Sequence, residues 1–324
     1  MRLKLVPSET KVDFFKAWKV TFGASVVAMV LSIALFFVMG LNFGIDFRGG
    51  TTIRTESPQP VDVAAYRDAL TPLGLGDISI TEVFDPTFGD DRNVAQIRIE
   101  AQGEGDASVD AQVILAVEAA LKGYDPAITF PSVESVGPKV SGELVQSAII
   151  AVVLAMAAVL FYIWLRFEWQ FSLGAVAALV HDVTLTIGIF SLLQIKFDLA
   201  IIAALLTIVG YSLNDTVVVF DRVRENLTKY KKRPLMEVLN MSINETLSRT
   251  VMTSVTTLIA LLSLYILGGD VIRGFVFAMI WGVIIGTYSS VFVATALLLY
   301  LGVKRDWTNK PDGKSGTQFA NIDA

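Results

Sequence analysis

The sequence predicts an α-helical polytopic membrane protein that has six transmembrane helices and a separate α+β domain between the first and the second helix. The first observation is composition: 53% of the residues are hydrophobic, and the mean hydropathy is +0.59, which is well above that of an ordinary soluble protein. The second is that the apolar residues are concentrated in long windows with almost no charge. The third is a polar, acidic stretch, residues 43–142, in which strand-like and helix-like patterns alternate.

Six windows are long enough to be transmembrane helices, because a helix needs about 20 apolar residues to cross the hydrocarbon core. The first two windows contain no charged residue, and the third and fourth contain very few. The sixth is longer than crossing requires, so we expect it to tilt or to start late. The predicted helices cover residues 20–42, 144–165, 169–195, 199–220, 249–269 and 274–303.

The distribution of Lys and Arg predicts the orientation, because cytoplasmic loops of membrane proteins carry an excess of these residues. With the N-terminus inside, the cytoplasmic segments and the bordering residue Arg249 contain 17 Lys and Arg residues, whereas the two short outer loops contain one each. We therefore expect both termini in the cytoplasm and residues 43–142 outside. The predicted cytoplasmic segments are residues 1–19, the turn at Arg166, residues 221–248 and residues 304–324.

The outer segment has the pattern of a small folded domain. Its strand and helix signals follow the order β-α-β-β-α-β, which is that of a ferredoxin-like unit. Residues 41–143 contain seven basic and 17 acidic residues, a net charge of −10, which repels polyanions and argues against a nucleic-acid partner. The predicted elements are Thr51–Glu56, Val61–Leu70, Ile78–Phe84, Val94–Glu100, Val109–Leu121 (capped by Gly123) and Ala127–Val136.

Asp215 is a carboxylate inside the fourth predicted helix. It lies about 8 Å from the midpoint of that helix, toward the cytoplasm, at a rise of about 1.5 Å per residue, which is inside a hydrocarbon half-layer of about 15 Å. An ionised carboxylate at the centre costs about 3 kcal/mol by insertion scales, so Asp215 must be paired, neutral or facing water. A carboxyl group that changes between these states carries a proton. The alternatives are that Asp215 extends to the interface or bonds with Asn214 and Ser212.

Three further residues are candidates for proton coupling. His181 and Asp182 lie at the middle of the third predicted helix, where they point about 100° apart, so at most one faces a given neighbour squarely. Histidine titrates near neutral pH, but a neutral imidazole bonded between helices is the structural alternative. Arg249 is a candidate counter-charge for Asp215, and it lies inside the bundle if the fifth helix begins near Asn244. The alternative is that Arg249 only anchors the topology.

Other features exclude function classes or indicate packing. The chain contains no cysteine and one histidine, so neither a thiolate nor a histidine-cluster metal site is predicted. The stretch DGKSG at Asp312–Gly316 lacks the upstream glycine of a phosphate-binding loop, so we expect neither ATP hydrolysis nor another enzymatic activity. Gly282 and Gly286 form a GxxxG face, continued by Ser290, that suits close helix packing within the chain or against a partner.

The whole arrangement resembles one half of a transporter of the resistance–nodulation–division (RND) superfamily: one anchor helix, an outer βαββαβ domain and five further helices. Five stretches make the resemblance more specific, since with them the chain resembles the SecF members of the SecD/SecF family of protein-export membrane proteins. The resemblance covers nearly the whole chain before residue 304. The stretches are GIDFRGGT (Gly44–Thr51), VESVGPKVSGEL (Val133–Leu144), HDV (His181–Val183), VGYSLNDTVVVFDRVREN (Val209–Asn226) and TLSRTVMTS (Thr246–Ser254).

The resemblance implies an accessory role in protein export at the bacterial inner membrane. A SecD-like six-helix partner would complete the bundle beside the Sec translocon channel, and the proton gradient, with no cofactor, would promote export of unfolded polypeptide. Membrane lipid would cover the remaining surface. Half of an RND-type small-molecule/proton antiporter is the alternative. The resemblance also marks Gly44, Asp46, Arg48, Gly49 and Gly50 as a family motif, in which we expect the glycines to allow a tight turn and Asp46 to pair with Arg48.

The predicted orientation can be tested by labelling single cysteines in the otherwise cysteine-free chain. A cysteine in place of Asp110 should react with a membrane-impermeant maleimide in intact spheroplasts, because the acidic domain is outside. A cysteine in place of Lys231 should not react until the membrane is opened. The reverse pattern would contradict the whole orientation.

Overall fold

The computed structural model describes residues 10–76, 78–83, 92–99 and 111–303. The predicted element ends at Phe84, Glu100 and Val109, the labelling position Asp110, and residues 1–9 and 304–324, including DGKSG, fall outside these residues. The helices are α1 (Trp18–Met39), α2 (Ile45–Arg48), α3 (Val63–Leu70), α4 (Ala111–Tyr124), α5 (Pro138–Arg166), α6 (Trp169–Leu193), α7 (Leu199–Lys229), α8 (Leu235–Leu267), α9 (Gly269–Ser289) and α10 (Thr295–Leu301). The strands are β1 (Asn42–Phe43), β2 (Gly50–Ser57), β3 (Ile78–Val83), β4 (Asn93–Ile99), β5 (Thr129–Val136) and β6 (Lys196–Phe197).

Six helical segments in the described residues are long and apolar enough to cross a membrane, which confirms the predicted number. They are α1, α5, α6, α7, α8 and the continuous segment from α9 through α10. A π-helical turn at Ser290–Ala294 joins α9 to α10, and Gly174 of α6 packs against the Ala294 carbonyl that this turn presents. The sixth transmembrane helix is therefore irregular near its C-terminal end.

Three of the six segments form the interior of the bundle. About half of the most apolar window is buried in α6 (50%) and in the α9–α10 segment (56%), and 44% is buried in α7, whereas only 11% is buried in α1, α5 and α8. The exposed apolar faces of α1, α5 and α8 suit lipid or a partner. The polar side chains that need internal hydrogen bonds are concentrated on the interior helices, because no water reaches a bilayer core to satisfy them.

The prediction of a long loop at residues 221–248 is wrong, because most of these residues are helical. The helix α7 continues to Lys229 and α8 begins at Leu235, so only residues 230–234 connect them. The prediction ended each helix where the apolar residues end, but the polar extensions bond to each other: Asn226 donates to Ser242 (3.0 Å) and Glu245 (2.6 Å). Arg222 also donates to Glu245 (2.6 Å). These bonds keep both extensions helical in water.

The outer domain has the predicted ferredoxin-like fold. Its antiparallel sheet has the order β3-β4-β2-β5, and α3 and α4 cover one face of it. Ile53 and Ile97 from the sheet meet Tyr66, Leu70 and Leu121 from the helices in a buried core. Asp62 caps α3 by accepting from the backbone of residues 64 and 65, so that helix begins at residue 63 and not at the predicted residue 61. The helix α4 passes the predicted cap, Gly123, and ends one residue later.

Candidate functional site

Asp182 lies at the centre of the bundle interior and is held by three side chains. Its Oδ2 accepts hydrogen bonds from Ser212 of α7 (2.6 Å) and Ser289 of α9 (2.8 Å), and its Oδ1 lies 2.9 Å from Nδ1 of His181. The carboxylate is 1% exposed. Three donors compensate much of the cost of burying a carboxylate in apolar surroundings. Asp182 therefore links α6, α7 and α9 through one group.

His181 is buried next to Asp182 and extends the polar cluster toward α1. Because Nδ1 faces a carboxylate oxygen, we assign it the proton that it donates to Asp182. The ring stacks on Tyr288 of α9, with centroids 6.1 Å apart. The Tyr288 hydroxyl donates to the Thr21 carbonyl (2.9 Å) and lies 3.0 Å from the Ser25 hydroxyl, both on α1. Adjacent residues on one helix were expected to face different neighbours, yet these two side chains bond to each other.

Asp215 lies one helical turn from Ser212 on α7 and has a different environment from Asp182. It is 3% exposed, and its Oδ2 has no hydrogen-bond partner among the described residues. The alternative in which Asp215 bonds with Ser212 and Asn214 is wrong: Ser212 donates to Asp182, and Asn214 lies on the exposed side of α7. One oxygen of this buried carboxyl therefore has no hydrogen-bond donor in the described part of the chain.

Arg249 is close enough to Asp215 for its charge to act on the carboxyl, although within the described residues the two do not form an ion pair. The ion pair between Arg222 of α7 and Glu245 of α8 shows where the two helices lie at the same height. At about 1.5 Å per residue, Asp215 lies about 10 Å from Arg222 along α7 and Arg249 about 6 Å from Glu245 along α8, both in the same direction. Asp215 and Arg249 therefore differ in height by about 4 Å along the helix axes, a separation that an arginine side chain can span.

Arg249 is not buried inside the helix bundle of this chain, so our expectation is wrong. The helix α8 begins well upstream, as the expectation required, but Arg249 is exposed. The reason is that α8 lies at the edge of the bundle, and no other described part of the chain covers its exposed side. The sequence pattern gave the position of Arg249 along the helix, but the rotation of α8 decided which side it occupies.

The GxxxG face of α9 packs within the chain. A side chain at Gly282 would place its Cβ 2.3 Å from Ile208 of α7, and at Gly286 the Cβ would be 3.0 Å from the Ser212 Cβ. Ser290 is buried too and donates to the Thr287 carbonyl. The alternative in which this face meets a partner is therefore wrong. Gly286 brings α9 close to α7, which lets Ser212 and Ser289 reach the same oxygen of Asp182.

The GIDFRGGT stretch joins the base of the outer domain to the start of α7. Its strand β1 pairs in parallel with β6, next to α7, and the Gly44 backbone donates to the Phe197 carbonyl (2.8 Å). Asp46 accepts a hydrogen bond from the backbone of Leu199, the first residue of α7 (3.0 Å). Gly49 and Gly50 have φ values of 73° and 127°, which favour glycine. The pairing of Asp46 with Arg48 stays a prediction.

The sequence analysis did not predict Ser289 or Tyr288 as part of the site, and it paired Ser212 with Asp215 where the structure pairs it with Asp182. One signal was available: polar residues in apolar helices are expected to bond across helices, and all three lie in predicted spans. Which of them share a partner depends on helix rotation. Among the described residues, no group of three or more metal-binding side chains is placed to hold a metal ion. The arrangement therefore contains one buried carboxylate with three hydrogen-bond partners, Asp182, and one with an unpartnered buried oxygen among the described residues, Asp215.

Comparisons with known proteins agree with these motifs. A family described as protein export membrane protein SecD/SecF, C-terminal, matches residues 116–304, and the SecD/SecF GG motif matches residues 34–61. The protein translocase subunit SecF of Cereibacter sphaeroides is 66% identical and covers 100% of this chain and 99% of that relative. The subunit of the same name from Rickettsia bellii is 40% identical, with 94% and 97% covered.

A solved structure gives the same result. The crystal structure of SecDF, a translocon-associated membrane protein from Thermus thermophilus, superimposes with a TM-score of 0.80 at 35% identity over 93% of this chain. This chain spans 40% of the length of that longer chain. The chain therefore belongs to the SecD/SecF family of protein-export membrane proteins.

The contrast between the two aspartates predicts unequal effects of their substitution on the stability of the folded chain. Asp182→Asn places an amide N–H₂ among groups that donate, so we expect it to reduce the stability of the folded chain by about 1–3 kcal/mol. Asp215→Asn removes no hydrogen bond and should change stability by less than about 0.5 kcal/mol. Thermal unfolding of the purified chain in detergent, followed by circular dichroism, measures both. Equal losses for the two variants would show that Asp215 is also held by its neighbours.

Proposed function

We propose that this chain is an accessory subunit of the bacterial Sec protein translocase, which acts with a SecD-type six-helix partner and uses the proton-motive force to promote export of secreted polypeptide. The observation that carries the proton-driven part is Asp215: a buried carboxyl without a hydrogen-bond donor, close to the charge of Arg249. The names of the relatives support the export role, and they favour polypeptide over the small molecules of the antiporter alternative.

The two aspartates would have different roles, Asp182 a structural one and Asp215 that of the proton carrier. Asp182 has three donors in its charged form, and protonation would place an O–H among groups that already donate. It therefore suits a fixed structural charge. Asp215 lacks such donors, so the difference between its charged and neutral forms depends on Arg249 and on access of water. His181 would keep the interior carboxylate oriented, and its role is structural in this scheme.

Proton transfer would change the attraction between α7 and α8. The charged form of Asp215 attracts Arg249, whose guanidinium stays protonated at any physiological pH, and the neutral form does not. Because α7 begins at the hydrogen bond between Asp46 and Leu199, a shift of α7 would act directly on the base of the outer domain. This connection provides a route from the proton site to the side of the membrane where the polypeptide emerges, with the domain in the periplasm and both termini in the cytoplasm.

The partner would cover the exposed side of α7. Four small or polar residues recur there at helical spacing, although α7 is otherwise an interior helix: Ala203, Thr207, Gly210 and Asn214. Small residues allow helices in membranes to approach closely. The same side adjoins Asp215, and Arg249 is exposed nearby on α8. A second six-helix unit placed here would shield both groups from lipid and complete the bundle.

The partner surface is tested by Gly210→Leu. A side chain at Gly210 meets nothing within 4 Å in this chain, so the variant should fold and insert normally but recover much less SecD-type partner on co-purification. The matched control is Gly23→Leu, an open glycine on the exposed side of α1, which should not reduce recovery. Equal recovery with both variants would place the interface on another surface.

The proton step is tested by Asp215→Asn, which keeps the volume of the side chain but removes its titration. It should accumulate normally yet lose the increment in preprotein translocation that a proton gradient produces in vesicles containing the partner. Asp215→Glu, which still titrates, should retain part of that increment. Arg249→Ala should lose it, whereas Arg249→Lys should retain part, because no bidentate ion pair depends on the guanidinium shape. A wild-type increment with Asp215→Asn would refute the proposed proton carrier.

A further inference from the structure

The outer domain contains a cavity of about 270 Å³ at one end of its sheet. Ser57, at the end of β2, and Asp125, just before β5, lie on one wall, and Tyr66 of α3 and Tyr124 of α4 provide two aromatic rings. Gln59 and Pro60, in the connection from β2 to α3, complete the lining. The cavity therefore combines one carboxylate, two aromatic rings and a few neutral polar groups.

The cavity lies at the end of the domain that is remote from the membrane helices. The strand β2 begins immediately after the GIDFR turn and runs away from α1, and β5 runs back and ends next to α5. Ser57 is the last residue of β2, and eight residues at about 3.3 Å each span roughly 25 Å. The cavity therefore lies at the opposite end of β2 from the connection to the membrane helices, where an extended polypeptide outside the membrane has access.

The negative charge in the cavity is held in place. Asp125 accepts from the Ser57 hydroxyl through Oδ2 (2.7 Å) and from the Ala127 backbone through Oδ1 (2.9 Å). A carboxylate has about four lone-pair sites, so each oxygen can accept another bond. The carboxylate also lies just beyond Tyr124, the last residue of α4, where the partial negative charge of a helix C-terminus favours a cation.

The aromatic rings strengthen the preference for a cation. Tyr66 and Tyr124 pack edge to face with centroids 5.8 Å apart. Tyr66 is 2% exposed, and Tyr124 is 48% exposed at the surface of the domain. Burial raises the pKa of the Tyr66 hydroxyl, a hydrogen bond with Thr55 lowers it by less, and the charge of Asp125 raises it further. The hydroxyl therefore stays neutral at physiological pH, and the exposed Tyr124 ring offers a face that attracts cations.

We propose that this cavity binds the side chain of a lysine or arginine residue on an extended polypeptide. The ammonium or guanidinium group would donate to Asp125, and the aliphatic stem would lie along the Tyr124 ring. The volume is below the range of about 300–1,000 Å³ that drug-sized ligands occupy, so it suits one side chain. The net charge of −10 on residues 41–143 attracts basic segments. That the polypeptide is one in export rests on the function proposed above.

Binding is tested with the full chain in nanodiscs of zwitterionic lipid, without partner or proton gradient. The probes are two capped glycine–serine peptides, one with a central lysine and one with norleucine at that position. Saturation-transfer NMR suits weak binding and also reports contact of the lysine methylene protons with tyrosine rings. We expect the norleucine peptide to bind about tenfold more weakly, because it lacks the charge-assisted hydrogen bond.

Two pairs of variants locate the site. Asp125→Asn should weaken binding of the lysine peptide by about tenfold, whereas Asp68→Asn, an exposed carboxylate on α3, makes the same change in charge and should not. Tyr124→Leu should weaken binding, and Tyr124→Phe should retain it because the ring remains. Tyr124 is exposed, so its variants keep the test valid if Asp125→Asn does not fold.

Three outcomes would overturn the proposal. Equal binding of the two peptides would remove the preference for a cation, and equal losses in Asp125→Asn and Asp68→Asn would show attraction to the whole domain only. A free aliphatic diamine that binds as tightly as the lysine peptide would make this a site for small cations. Failure of the proton proposal is distinguishable, because it changes translocation by Asp215→Asn and leaves peptide binding at Asp125 intact.

Discussion

The requirement that a buried carboxylate be satisfied without water determines how the interior of this bundle is packed. Asp182 meets it with donors from its own helix and from two others, Ser212 on α7 and Ser289 on α9. Each bond requires a particular rotation and height of the helix that supplies it. Gly286 contributes by the absence of a side chain, since its Cβ would lie 3.0 Å from Ser212. One charged group thereby specifies the relative positions of α6, α7 and α9.

The helix α7 connects every feature that the proposed function uses. It is capped at its start by Asp46 from the base of the outer domain, bonded in its middle to Asp182 through Ser212, and bonded near its C-terminal end to α8 through Asn226. Asp215 lies between the second and third of these attachments and has no donor of its own. A change in its charge would therefore act on a helix that is held at its end points, which suits transmission along the helix axis.

The sequence by itself determined the class, the number of spans and the fold of the outer domain. These depend on patterns that are local in the chain: the length of apolar windows, and the order of strand and helix signals from Thr51 to Val136. It also made Asp215 a candidate, because an ionisable group in an apolar window is costly wherever the helix lies in the bundle. The family motif GIDFRGGT could also be recognised from the sequence, because its residues are contiguous.

Only the tertiary structure decided which residues meet. Ser212 and Ser289 share Asp182, Gly282 packs against Ile208 and not against a partner, and Arg249 lies on an exposed side of α8. Each depends on how a helix is rotated about its axis, and no apolar window specifies that rotation, because these helices are apolar on nearly all sides. The cavity at Asp125 likewise combines residues from β2, α3, α4 and the connections between elements. Such sites arise from packing, since contacts between distant segments are selected by shape and hydrogen bonding and not by local pattern.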